Sequence, residues 1–264
     1  MKSKKLLFLY IFLLLIILLM MITINKNFSN NTRDYKEIHA EGVLRIVTEY
    51  DQFGYYASGD TTQGFQYELC RAISKISGLE ILIFPQMSLS ESFEGLNKRE
   101  YDIIARNIPI TTEIKENYNF TDPVIYSKQV LVQRSGKANN NRPPIRNQLE
   151  LAGKTLYLPK ESPAQLRLQN LRHEIGDTIY VIEENLYSSE QLIIMVAKGE
   201  IDYTVCDRQI AVIAKKQFPE IDIDTDISFT QLQAWAVRKE SVVLLDSLNN
   251  WLRKLREEPP KGGS

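Results

Sequence analysis

Histidine and cysteine are nearly missing from this chain, with two of each among 264 residues. His39 and His173 lie far apart, so the ligand spacing of a zinc or other transition-metal site is lacking. No HExxH pair, Ser–His or Cys–His arrangement, or Gly-rich phosphate loop occurs. The usual signatures of nucleophilic catalysis, metal-dependent hydrolysis and nucleotide binding are thereby excluded, and neither a metal nor a cofactor is expected. Cys70 and Cys206 fall in different halves, which predicts two buried free thiols rather than a bridge. A basic block is also lacking beyond Lys2, Lys4 and Lys5, and the formal net charge is −1. Nucleic acid is therefore not expected as a partner, because neutralising phosphates needs a concentrated positive patch.

What is present is globular in composition, 44% apolar and 25% charged. The three lysines precede an apolar run from Leu6 to Ile24, interrupted by Tyr10 and Thr23. Positive, then apolar, then polar predicts an export signal or signal anchor over residues 1–25. At about 19 residues the run is long enough to span a bilayer, and no small-x-small cleavage site follows. Both features favour an uncleaved anchor through residues 6–24 in the inner membrane, with the body on the periplasmic face. A polar, Asn-rich tether is expected over 26–40 and a polar tail over 257–264.

Between them, strands and helices alternate, which implies an α/β fold with parallel sheets covered by helices. Val43–Thr48 reads as a first strand, followed by a helix from Gly64 that ends at Gly78 and a strand over Leu79–Phe84. The stretch Lys98–Asn107 is echoed by Lys198–Asp207, each an apolar strand ending in a polar residue. That echo predicts two lobes facing a cleft, with Asn107 and Asp207 at equivalent strand ends. Lobe 1 is expected over 41–133 plus 226–256, and lobe 2 over 134–225, after the linker-like Ser135–Pro144.

Candidate ligand-binding residues follow from this layout, each with a plainer alternative. Asp207 either binds a ligand cation or caps the next helix, and Asn107 either faces a ligand or serves a turn. Tyr50 and Phe53, in the aromatic loop with Tyr55 and Tyr56, form a stacking wall or pack on their own lobe. Ser162, read as N-cap with Pro163 opening the helix, offers backbone N–H groups to an anion or simply caps. Glu49 and Asp51 share a loop as an acid pair or as solvated charges.

The body resembles the type II, family 3 periplasmic solute-binding proteins, and within them the binding domain of the membrane-bound lytic transglycosylase F branch. The motifs that carry the resemblance are Val43–Thr48 followed by Gly64–Leu69, Tyr101–Ala105, Ile110–Glu113, Phe120–Pro123, Leu151–Lys154 and Gly199–Asp207. Their order over about two hundred residues, the approximate size of two lobes, implies a clam-shell that closes on a ligand. Phe218-Pro219-Glu220 points to the transglycosylase branch. Amino-acid-binding members hold the ligand's carboxylate with an arginine just after the Thr-x-Glu motif, where this chain has Ile114. Positions that usually hold a glycine and a threonine have Asn107 and Pro109. Arg106 or Lys115 are the available substitutes, from different positions and with different geometry. The resemblance implies a non-catalytic, membrane-tethered binding or sensing domain for an amino-acid-like, peptide or muropeptide ligand, with a transporter or a peptidoglycan enzyme as partner. The alternative is the regulatory domain of a peptidoglycan-cleaving system, since only a polar tail follows the last helix here. A structural envelope protein with a degenerate cleft is a third reading.

Overall fold

The structure, a computed structural model, describes residues 12–16, 20, 33–59 and 61–257. The expected anchor lies mostly outside these residues. Among those described, no helix is long and apolar enough to cross a membrane.

Two mixed sheets carry the body. The first contains β1 (Val43–Thr48), β4 (Glu80–Pro85), β5 (Ile103–Pro109), β6 (Tyr118–Phe120), β7 (Ile125–Ser127) and β13 (Gln231–Arg238), in the order β4-β1-β5-β13-β6 with β7 beside β13. The second contains β8 (Gln129–Arg134), β9 (Thr155–Pro159), β10 (Tyr180–Glu184), β11 (Thr204–Asp207) and β12 (Ile221–Asp226), in the order β10-β9-β11-β8-β12. A hairpin, β2 (Tyr56–Ser58) and β3 (Thr61–Gln63), stands apart. Each sheet runs parallel through its first three strands and then antiparallel at the fourth, β13 or β8.

The chain thus crosses between sheets twice, after β7 and after β12. Gln129–Gln133, assigned from the sequence to lobe 1, is a strand of the second sheet, and its apolar pattern is matched by burial at β11 and β12. A strand paired on both edges and covered on both faces reads the same in either sheet, so local pattern does not assign it.

Helices cover the sheets. α2 (Phe65–Ser77) ends at Gly78 in the left-handed region, as the sequence predicts. α3 (Leu89–Asn97), α4 (Thr112–Asn117), α5 (Ala164–Ile175), α6 (Ser189–Lys198), α7 (Arg208–Gln217) and α8 (Val242–Glu257) follow. The expected tether is ordered at its end: α1 (Tyr35–Glu41) is started by a capping box of Asp34 and Glu37, and its Ile38 is fully buried. Ile38 joins Leu44, Ile73, Trp235, Leu248 and Trp251 in the first core, which is why this turn docks rather than trailing in solvent. Cys70 and Cys206 are free and buried, in separate cores. Burial pushes the Cys70 thiol up to about 12 and raises that of Cys206 as well.

The sequence echo is visible at the far end of each lobe. Arg238, last in β13, donates to Leu96 O, Tyr101 O and Asp102. Arg134, last in β8, donates to Val196 O, Ile201 O and Asp202. The same clamp therefore closes both halves at positions a hundred residues apart.

Candidate functional site

A cavity of about 330 Å³ lies where the strand ends of the two sheets meet. Asn107 from β5, Asp207 from β11, Gln233 from β13 and Gln129 from β8 line it, together with Arg106 and Ser162. Asn107 and Asp207, predicted to share a cleft, share this one. Tyr50 and Phe53 are not on its wall. Phe53 is buried and stacks on Phe65 with centroids 5.0 Å apart, while Tyr50 is exposed and tilts against Tyr55. The aromatic loop therefore packs on its own lobe. Gly64 fixes it there: its φ is +132, and a Cβ would stand 2.3 Å from Gly54 O. Only a glycine lets the loop backbone approach α2 so closely.

Several polar side chains in the cleft are already engaged. Arg106 pairs with Glu49 at 3.1 Å and donates to Gln86 O, Met87 O and Ser92 Oγ, so its cation is committed to its own lobe. Asp207 caps α7 through Gln209 N at 2.9 Å. It also accepts from Ser127 Oγ at 2.7 Å and Gln233 Nε2 at 2.6 Å. Cap and cleft residue are thus one side chain. Ser162 Oγ accepts from Ala164 N at 3.3 Å, and Pro163 rather than Ser162 occupies the cap position of α5, one residue later than the sequence suggests. Two acceptors remain open: Asn107 Oδ1 and Gln233 Oε1 are buried without a hydrogen-bond partner.

Across the cleft, Glu161 reaches from the turn after β9 to the N-terminus of α3 on the other sheet. Its carboxylate accepts from Leu89 N at 2.9 Å, Ser90 N at 3.2 Å, Ser88 Oγ at 3.3 Å and Ser90 Oγ at 2.5 Å. Partial burial raises its pKa, but these donors outweigh that and hold it below the ordinary glutamate value. Glu161 does this from a left-handed backbone, φ 59, that a β-carbon disfavours. A second contact joins Gln52 N to Glu190 Oε1 at 2.8 Å. Beside it Asp51, which the sequence offers as one of an acid pair or as a solvated charge, is buried; burial and then the neighbouring Glu49 push its pKa up to about 7, with Gly54 N–H opposing. Burial followed by Glu49 raises Glu190 too.

Sequence reasoning missed Glu161 and Gln233. A lone glutamine in the apolar run Leu232–Val237 was the available signal for the second, since a polar group in a fully paired strand needs a partner. Nothing local marks Glu161, whose contacts lie more than seventy residues away. Among the described residues no group of three or more His, Cys, Asp and Glu side chains is placed to hold a metal ion.

Known proteins share this architecture. The chain is 28% identical over 213 residues to the membrane-bound lytic murein transglycosylase F of Photobacterium profundum, covering 80% of this chain and 40% of that protein. It is 28% identical over 221 residues to the protein of the same name from Desulfosudis oleivorans, covering 84% and 47%. The chain thus spans less than half the length of these relatives. Among solved structures, holo ArgBP from T. maritima superposes with a TM-score of 0.71 at 24% identity, covering 85% of this chain and 95% of that one. An ancestral arginine-binding protein bound to glutamine gives 0.69 at 23%, covering 82% and 93%. These structures share the fold. The description of bacterial extracellular solute-binding proteins, family 3, matches residues 44–259, and the chain belongs to that family.

Proposed function

We propose that this chain is a non-catalytic binding module of the bacterial cell envelope whose two lobes close on a small solute: amino-acid-like, a peptide or a muropeptide fragment. The observation that carries the reading is the cavity between strand ends of both sheets, with Asn107, Ser162, Asp207 and Gln233 on its wall. Its volume falls within the range of small-molecule sites, ~300–1,000 Å³. Side chains from both lobes meet there, so occupancy and the angle between lobes are linked by hinge motion. The apolar run of residues 6–24 supports a tether that holds the module at the periplasmic face of the inner membrane.

A second reading is favoured by the relatives' names and lengths: a regulatory binding domain serving a transglycosylase F-like peptidoglycan-cleaving system. Thermal unfolding of the chain with amino acids, dipeptides and muropeptides separates a working cleft from a degenerate one. A ligand at a hundred times its Kd adds about 2.7 kcal/mol of stability. No shift with any of the three classes or with a carboxylate-free amine refutes the proposal, and a shift with muropeptides alone selects the second reading.

A further inference from the structure

The cleft offers acceptors that have no donor. Gln233 is 6% exposed and gives its amide nitrogen to Asp207 Oδ2. A carboxylate oxygen takes only a donor, which fixes the orientation of the amide and leaves Oε1 as the open atom. Asn107 Oδ1, on the same cavity, is likewise buried without a partner. A buried acceptor left open is unfavourable, and a ligand N–H removes that penalty. Charge points the same way: five carboxylates line the cavity against Arg106 and Lys160.

Three of the places that would hold a ligand's carboxylate are filled, which leaves Lys160 as the cation on the wall without an acid partner among the described residues. Arg106 is bound to Glu49 and to two backbone carbonyls. Ile114 packs in an apolar cluster with Phe93 and Tyr118. The N-terminus of α3, with the hydroxyls of Ser88 and Ser90, already holds the Glu161 carboxylate.

Resting on the reading of the cleft as a binding site, we propose that it takes a cationic ligand rich in N–H donors and lacking a free carboxylate. Its donors sit on Gln233 Oε1 and Asn107 Oδ1, and Glu161 supplies from within the chain the anion that an amino-acid ligand brings with it.

Agmatine and L-arginine are matched probes, since they differ by the carboxylate alone. Isothermal titration of the full chain is expected to show agmatine binding at least tenfold tighter than L-arginine, and no binding of L-glutamate. Gln233→Met keeps the length of the side chain, removes the acceptor and weakens agmatine at least tenfold. Glu161→Ala empties the anion seat and brings L-arginine to within threefold of agmatine; this arm decides the matter if Gln233→Met does not fold. L-Arginine or L-glutamate binding the unaltered chain as tightly as agmatine overturns the ligand class but leaves a binding cleft, as does binding confined to carboxylate-bearing peptides or muropeptides. No binding by any of these compounds overturns both proposals.

Discussion

Replacing Asp102 with asparagine removes the negative charge from the clamp of the first lobe while keeping its shape. Asp102 is fully buried. It accepts from Arg33 Nε at 2.8 Å, Arg45 N at 3.0 Å and Arg238 at 3.3 Å. Arg238 is itself 3% exposed, so the substitution leaves a guanidinium buried without its counter-charge. Losing one partner of a buried pair costs about 3–5 kcal/mol. The equivalent Asp202→Asn change in the second lobe breaks the same kind of pair, but the Asp202 side chain is 67% exposed and water screens it. The loss expected there is about 0–1 kcal/mol. Urea unfolding reads the contrast directly. With a slope of about 2 kcal/mol per molar, a 4 kcal/mol loss lowers the midpoint by about 2 M, and the Asp202 variant moves it by less than 0.5 M. Equal shifts for the two variants refute the argument that burial, rather than the pairing itself, sets the cost.

Three further outcomes follow from the cleft and the cores. Asp51→Asn is expected to stabilise the protein above pH 7: the folded carboxyl titrates at about 7 against 3.8 for its ordinary value. Its raised value means that stability falls as pH rises between those limits and the full penalty applies above them. At ~1.4 kcal/mol per unit that penalty is on the order of 4 kcal/mol, so the variant's Tm exceeds the parent's at pH 8 and matches it at pH 4, and a pH-independent difference refutes the assignment. Glu161→Gln keeps the length of the side chain but removes the charge that α3 stabilises, and small-angle scattering is expected to show a larger radius of gyration; an unchanged radius means that Glu161 does not hold the lobes together. Cys70 and Cys206 are expected to react with a thiol reagent only at the rate of unfolding, since both are buried and their thiolates disfavoured; fast labelling of the native chain contradicts this.

Much of the fold was legible because its signals are local. The Gly78 stop of α2 and the repeated strand that carries Asn107 and Asp207 are each encoded within about a dozen residues, the span over which periodicity acts, although β5 runs past Asn107 to Pro109 where β11 stops at Asp207. The candidate site was less legible. Asp207 and Asn107 came from the echo, but for Phe53 the sequence left a stacking wall and packing on its own lobe both open, and its ring turns inward onto Phe65. A loop's composition says that aromatic rings are present, not which way they face. The sheet to which β8 belongs and the reach of Glu161 are set by contacts distant in sequence, and no local pattern encodes them.

Asp207 is tied through Ser127 and Gln233 to the residues that flank both chain crossings. The floor that a guest would touch is thus built from the same atoms as the pivot. On the proposed reading, a guest pressing on that floor would turn the halves without any intervening relay, and a partner sensing their relative angle would read occupancy at first hand. Changes made there to retune selectivity would then also alter the resting angle.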